Sequence, residues 1–188
     1  MPIRSRVVGI ALCVACACGG ARPLEVLGLP LGGHVHMPVR QCTREEARND
    51  VQTLCVIDKL RAAQDGGQVY SLAVPDRGKR PEWAVDATIE ANLLNDGEVK
   101  WFNVQTKDVN AYDVIEKSIT HRFGKPLYIP KGSAISRDAE WYTPEVQVSL
   151  ACVQKVGCYV HFSANDNAKG TKKQESAKAP SRPRPISP

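Results

Sequence analysis

From Trp83 to Leu93, apolar and polar residues alternate without a break. Trp83, Val85, Ala87, Ile89, Ala91 and Leu93 fall on one side, and Ala84, Asp86, Thr88, Glu90 and Asn92 on the other. A period of two predicts a strand with one buried and one solvated face. Asn95-Asp96-Gly97 then predicts a turn, since glycine takes φ > 0 at little cost. Val99 to Thr106 returns as the partner strand. Val99 and Trp101 share one face there, but Phe102 and Val104 share the other, so a β-bulge is expected near Trp101–Phe102.

The period changes to that of a helix over Ala111 to Phe123. Val114, Ile115, Ile119 and Phe123 form the expected buried stripe, with Asp108 or Asn110 as N-cap. Gly124 and Pro126 end it. Lys131 to Tyr142 reads as a loop, with Trp141 and Tyr142 over the core. Val146, Val148, Leu150 and Cys152 then align on one strand, and Cys158, Val160 and Phe162 on the next. Their short connection makes a second hairpin.

The first part of the chain is less regular. Leu24 to Val39 is apolar but broken by Gly28, Pro30, Gly32 and Gly33, which predicts an irregular or edge strand. Thr43 and Glu46 have capping-box spacing, so a helix is expected to start there. Val51 to Ile57 and Gln68 to Val74 are expected strands around a turn at Gln64–Gly67, and Pro75 to Pro81 a polar loop in which Arg77, Lys79 and Arg80 cluster, able to bind an anion but more commonly just solvated. Together the elements predict an α+β fold: a mainly antiparallel β-sheet of hairpins with one main amphipathic helix packed across it.

Composition leaves that picture in place, since 43% hydrophobic and 24% charged residues suit a globular chain. The net charge of +5 is unevenly spread. Lys169, Lys172, Lys173, Lys178, Arg182 and Arg184 sit in the last stretch against only Asp166 and Glu175, and the body is close to neutral. Basicity confined to a tail argues against a nucleic-acid-binding face. Residues 164–188, rich in Lys, Ser and Pro, are expected to be a disordered tail able to touch anionic envelope polymer.

At the other end, Arg4 and Arg6 precede an uncharged apolar run from Val7 to Cys18. This run is too short to span a bilayer, which needs about 20 residues. It reads as an export signal over residues 1–18, with Ala15-Cys16-Ala17 as a cleavable site. Cys16 and Cys18 are also lipidation candidates, although the leucine usual three positions before a lipidated cysteine is replaced by Cys13 and Ala15. The predicted organisation is therefore signal (1–18), one α+β domain (19–163) and tail (164–188).

Export places Cys42, Cys55, Cys152 and Cys158 in an oxidising compartment, where four cysteines predict two disulfides. Of three possible connectivities the local one, Cys42–Cys55 and Cys152–Cys158, is favoured. It carries a constraint. A continuous helix between Cys42 and Cys55 would hold their Cα atoms about 20 Å apart, and a disulfide needs roughly 4.4–6.8 Å. The helix at Thr43 is therefore expected to be short, stopping near Asp50.

His34 and His36 would share one strand face, and imidazole pairs are of a type that binds metal. No third ligand is identifiable, so neither a metal nor a cofactor is expected. Asp86 and Glu90 would stand roughly 13 Å apart on a regular strand, too far for the usual glycosidase pair at about 5–9.5 Å. No HExxH, GxSxG, Walker or GxGxxG motif occurs. The helix end Arg122-Phe-Gly-Lys-Pro126 resembles that of small bacterial outer-membrane assembly lipoproteins, over those five residues alone.

The functional expectation is an exported bacterial envelope protein, periplasmic or anchored to the outer membrane by lipid, acting non-enzymatically on an envelope protein partner. The alternatives are a secreted inhibitor or effector-type binder, and an envelope hydrolase with a site at His34/His36 or His121.

Overall fold

The computed structural model describes residues 24–47, 50–127 and 136–165. The expected signal, with Cys16 and Cys18, lies outside them, as does the tail beyond Asn165. The fold is sheet-dominated with a single helix among the described residues. The strands are β1 (Leu24–Val26), β2 (Leu29–Leu31), β3 (Cys55–Ala62), β4 (Gln68–Ala73), β5 (Thr88–Leu93), β6 (Val99–Thr106), β7 (Ser136–Tyr142), β8 (Val146–Val153) and β9 (Gly157–Ala164). The helix, α1, is Tyr112–Phe123.

The strands form one sheet in the order β3-β4-β5-β6-β9-β8-β7, antiparallel throughout that path. Where β9 stops at Ala164, β2 takes over the same edge of β6, pairing in parallel at Leu31–Val99. The small β1–β2 hairpin thus extends the sheet, where a single irregular strand had been expected.

Alternation makes the core. Ile89, Val104, Val160, Leu150 and Ala139 lie in one cross-strand row, and Ala91, Phe102, Phe162, Val148 and Trp141 in the next. All are buried. Phe102 and Phe162 stack with ring centroids 4.9 Å apart. Each valine, leucine, isoleucine or phenylalanine among them contributes about 1.5–3 kcal/mol on burial. From α1, Tyr112, Ile115 and Ile119 join this core.

The expected bulge is present, one residue early. Asn92 pairs with Trp101 and Leu93 with Val99, so Lys100 is the extra residue. This turns Val99 inward with Phe102 and Val104 and leaves Trp101 on the opposite face.

Several expectations are corrected. The strand does not begin at Trp83: Pro81 opens a 3₁₀ turn over Glu82–Ala84, and β5 starts only at Thr88. A second 3₁₀ turn, Arg77–Lys79, lies within the expected polar loop. The capping box forms, with the Thr43 N–H donating to Glu46 Oε2 (2.9 Å) and the Glu46 N–H donating to Thr43 Oγ1 (3.2 Å). It supports a single turn and no helix among the described residues, because the disulfide draws the segment back on itself. Val51 to Leu54 lies outside the strand, which starts at Cys55 and runs on to Ala62. Much of the expected loop at 131–142 is β7, with Trp141 buried and Tyr142 exposed. Val114 is 56% exposed, because helical rotation places it off the face that carries Ile115 and Ile119. Neither Asp108 nor Asn110 caps α1 with its side chain; Asp108 Oδ1 instead accepts from the Asn110 N–H. No described helix is long and apolar enough to cross a membrane.

Candidate functional site

Pro81 fixes the start of the Glu82–Ala84 turn, and Ala84, wholly buried, anchors it. This directs Trp83 toward the second half of α1. Between them lies a cleft of about 640 Å³, closed on a third side by Val26 and Leu27 of the first hairpin. Its apolar surface comes from Leu27, Trp83, Ile119, Phe123 and Phe162. Its basic residues are Lys79, Arg80, His121 and Arg122, and among the described residues that line it there is no carboxylate.

The two guanidinium groups are oriented by backbone. Arg80 Nη2 donates to the Val74 carbonyl, and Arg122 Nη2 to the Glu25 carbonyl. The neutral carbonyl orients the Arg122 guanidinium without itself cancelling its charge. Arg122 also lies over the Phe123 ring, 5.4 Å from its centroid. His121 and Arg122 occupy the last turn of α1, where the helix dipole favours cations. Lys79 reaches Asp76 at 3.1 Å on the exposed rim. The Trp83 indole N–H is buried and has no hydrogen-bond partner, and an unmet buried donor costs about 1–3 kcal/mol.

On its other side Trp83 lines a second depression of about 600 Å³, together with three carboxylates, Glu82, Asp86 and Asp108, and one ammonium group, Lys107. A basic and an acidic hollow therefore share one tryptophan. This arrangement can hold a ligand by apolar contact while charge sets its direction.

The residues singled out in the sequence are distributed differently. His34 and His36 are both exposed. His34 Nε2 lies 3.3 Å from Asp96 Oδ2 and groups with Asp96 and Glu98, whereas His36 is not part of that group. The Glu98 backbone N–H, and next the His34 side chain, hold the Asp96 carboxyl below its usual range. Lys100 Nζ is 3.6 Å from Glu98, so a cation already sits beside the group. Disulfides join Cys42 to Cys55 and Cys152 to Cys158, with Cα–Cα distances of 5.0 and 4.0 Å. They brace the sheet and do not line the cleft. Of the histidines considered as catalytic, only His121 lines it. Trp83 was missed as a site residue, with Pro81 the available signal that the chain turns there; Lys79 and Arg80, expected in a basic loop able to bind an anion but more commonly solvated, line the cleft.

Compared with protein-family models, with curated proteins and with solved structures, the chain has no match.

Proposed function

We propose that this chain is an exported, disulfide-tied binding protein of the bacterial cell envelope, acting without catalysis, and that it grips an acidic, partly apolar segment of a partner protein in the cleft beside Trp83. The observation that carries this reading is the cleft itself, apolar over its floor and basic at its rim. Its size falls in the range of about 300–1,000 Å³ usual for binding pockets. In this reading the amphipathic helix lies across the sheet and carries His121 and Arg122 to the site. The disulfides support the compartment, since such bonds persist where thiols are not kept reduced.

The test uses the full chain in its producing cell, with a photo-crosslinking residue at Trp83. The expected result is an adduct with an envelope protein, mapped to an acidic segment and lost in Arg122→Glu. An adduct that ignores Arg122→Glu, or no adduct, would overturn the cleft as the contact. The intact mass of the native mature protein separates the anchored from the soluble form. Acyl mass on Cys16 or Cys18 gives the first, and an unmodified N-terminus gives the second. A mass that retains residues 1–18 would refute export.

A further inference from the structure

The side of the sheet opposite α1 carries a different chemistry. Glu90, Asn103, His161, Ser149 and Glu140 stand directly opposite one another on five adjacent strands, with a carboxylate at each end. Trp101 flanks this row on one side, and Gln105 and Tyr159 on the other. All of these side chains are part-exposed. They are also held in place. His161 Nδ1 is 2.7 Å from Asn103 Oδ1, and Gln105 Nε2 donates to the Tyr159 hydroxyl at 2.9 Å.

A wall rises at one end. The β3–β4 turn folds over the sheet so that Asp65 accepts from Trp101 Nε1 (3.1 Å) and from Nδ2 of the fully buried Asn92 (2.9 Å). The turn sits tight because Gly67, at φ +83°, has no Cβ; one would come 2.5 Å from the Leu93 carbonyl. Between this turn and Trp101 lies a depression of about 480 Å³, which includes Arg61 and Val69.

Charge decides what such a face can hold. A nucleic-acid strand needs a basic track as well as aromatic plates. Here Arg61 is matched by Glu90 at 3.7 Å, and the centre of the row is amide, imidazole and hydroxyl. A protein partner would ordinarily find an apolar centre, which this face lacks. Burial holds the His161 imidazole neutral by pushing its pKa below the ordinary value, against a weaker pull from Asp65. Neutral donors and acceptors on an open sheet face beside a fixed indole suit a ligand that is itself neutral and rich in hydroxyls, with C–H faces that stack on the ring.

We infer that this open sheet face is a binding platform for a neutral oligosaccharide, with Trp101 as the stacking plate and Asn103, Ser149 and His161 as the hydrogen-bonding row. It lies across the sheet from the Trp83 cleft and does not depend on the reading given to that site.

The test is calorimetry of the full chain with cellotetraose, chitotetraose and maltotetraose, paired with amide chemical-shift mapping. Binding of at least one is expected, with shifts concentrated on Trp101, Asn103, Ser149 and His161. Trp101→Ala is expected to weaken it about tenfold or more, the equivalent of 1.4 kcal/mol, and Trp101→Phe to retain most of it. Asn103→Ala leaves the indole and its Asp65 clamp in place, so it tests the row even if Trp101→Ala unfolds; a loss of about tenfold is again expected. Failure of all three sugars to bind at millimolar concentration would overturn the inference. So would shifts confined to the Trp83 cleft, or tighter binding of an oligo-dT strand.

Discussion

Replacing Cys42 and Cys55 together by alanine tests how the first disulfide acts. The pair is separated by 13 positions and Cys55 is fully buried. Treated as a loop of about 14 residues, the chain-entropy relation gives a loss of about 3 kcal/mol at 25 °C. The same relation for Cys152 and Cys158, separated by 6 positions, gives about 2 kcal/mol. The structure adds a local difference. Cys152 and Cys158 face each other inside the β8–β9 ladder, which remains paired on both sides without the bond. The segment before Cys55 meets the sheet through the Gln41–Val56 bridge and its backbone bonds to Val56. Without its disulfide, it keeps these contacts, the Gln41 Nε2 bond to the Ile57 carbonyl (2.8 Å) and the buried Val51, while the Arg40 bonds to Glu46 and Thr53 lie within the segment itself. Urea unfolding with a slope of about 2 kcal/mol per M would show a midpoint shift near 1.5 M for the first pair and near 1 M for the second. Hydrogen exchange would show residues 40–56 losing protection selectively in the first variant. If the Cys152/Cys158 variant were the less stable by more than about 1 kcal/mol, loop closure would not be the controlling term. Unchanged protection at 40–56 would refute the local argument.

Ile115→Ala should cost about 2–5 kcal/mol in thermal or urea unfolding, because the side chain is fully buried against the core. Val114→Ala, at a position 56% exposed, should fall within about 0.5 kcal/mol of the parent. The Arg40 guanidinium, followed by the Thr43 backbone N–H, holds the Glu46 carboxyl at about 2, against an ordinary value of 4.5. A depressed folded pKa stabilises above the unfolded value, and that stabilisation is lost as pH falls from about 4.5 through about 2. NMR titration should therefore find Glu46 ionised at pH 3, and Arg40→Ala should return it toward the ordinary value. Gly157→Ala should cost at least on the order of 1–3 kcal/mol, since φ is +123° and the new Cβ would lie 2.1 Å from the Thr106 carbonyl.

Where one face of a strand is buried, the pattern was readable. Ile89, Ala91 and Leu93 alternate because each must reach the same core, and so do Val146, Val148, Leu150 and Cys152. The same alternation misled at Trp83 and Val85, since periodicity cannot see that Pro81 has begun a turn. β7 was missed because most of Ser136–Glu140 is polar and only Ala139 and Trp141 face inward, too few to show a period in a seven-residue stretch. The cleft was not legible at all. Its residues come from the first hairpin, the 79–83 turn, α1 and β9, and no local spacing joins them. The open face was hidden for the opposite reason. Asn103, Ser149 and His161 each read as the ordinary solvent side of a strand, and only strand order sets them in a row.

That strand order also governs when the molecule can form. β6 sits at the centre of the sheet, and its long edge is completed by β9, with Phe102 pairing Phe162 and Thr106 pairing Cys158. A nascent chain can close the β5–β6 hairpin early, but beyond the β2 contact at Val99 that edge must wait for nearly all the described residues before it has a partner. Distant pairing of this kind goes with folding on the order of milliseconds to seconds. Until then β6 presents an open strand with one apolar face, Val99, Phe102 and Val104, to whatever lies nearby. If the chain is exported as proposed, that interval would leave it threadable through a translocation pore for as long as its last strand is missing.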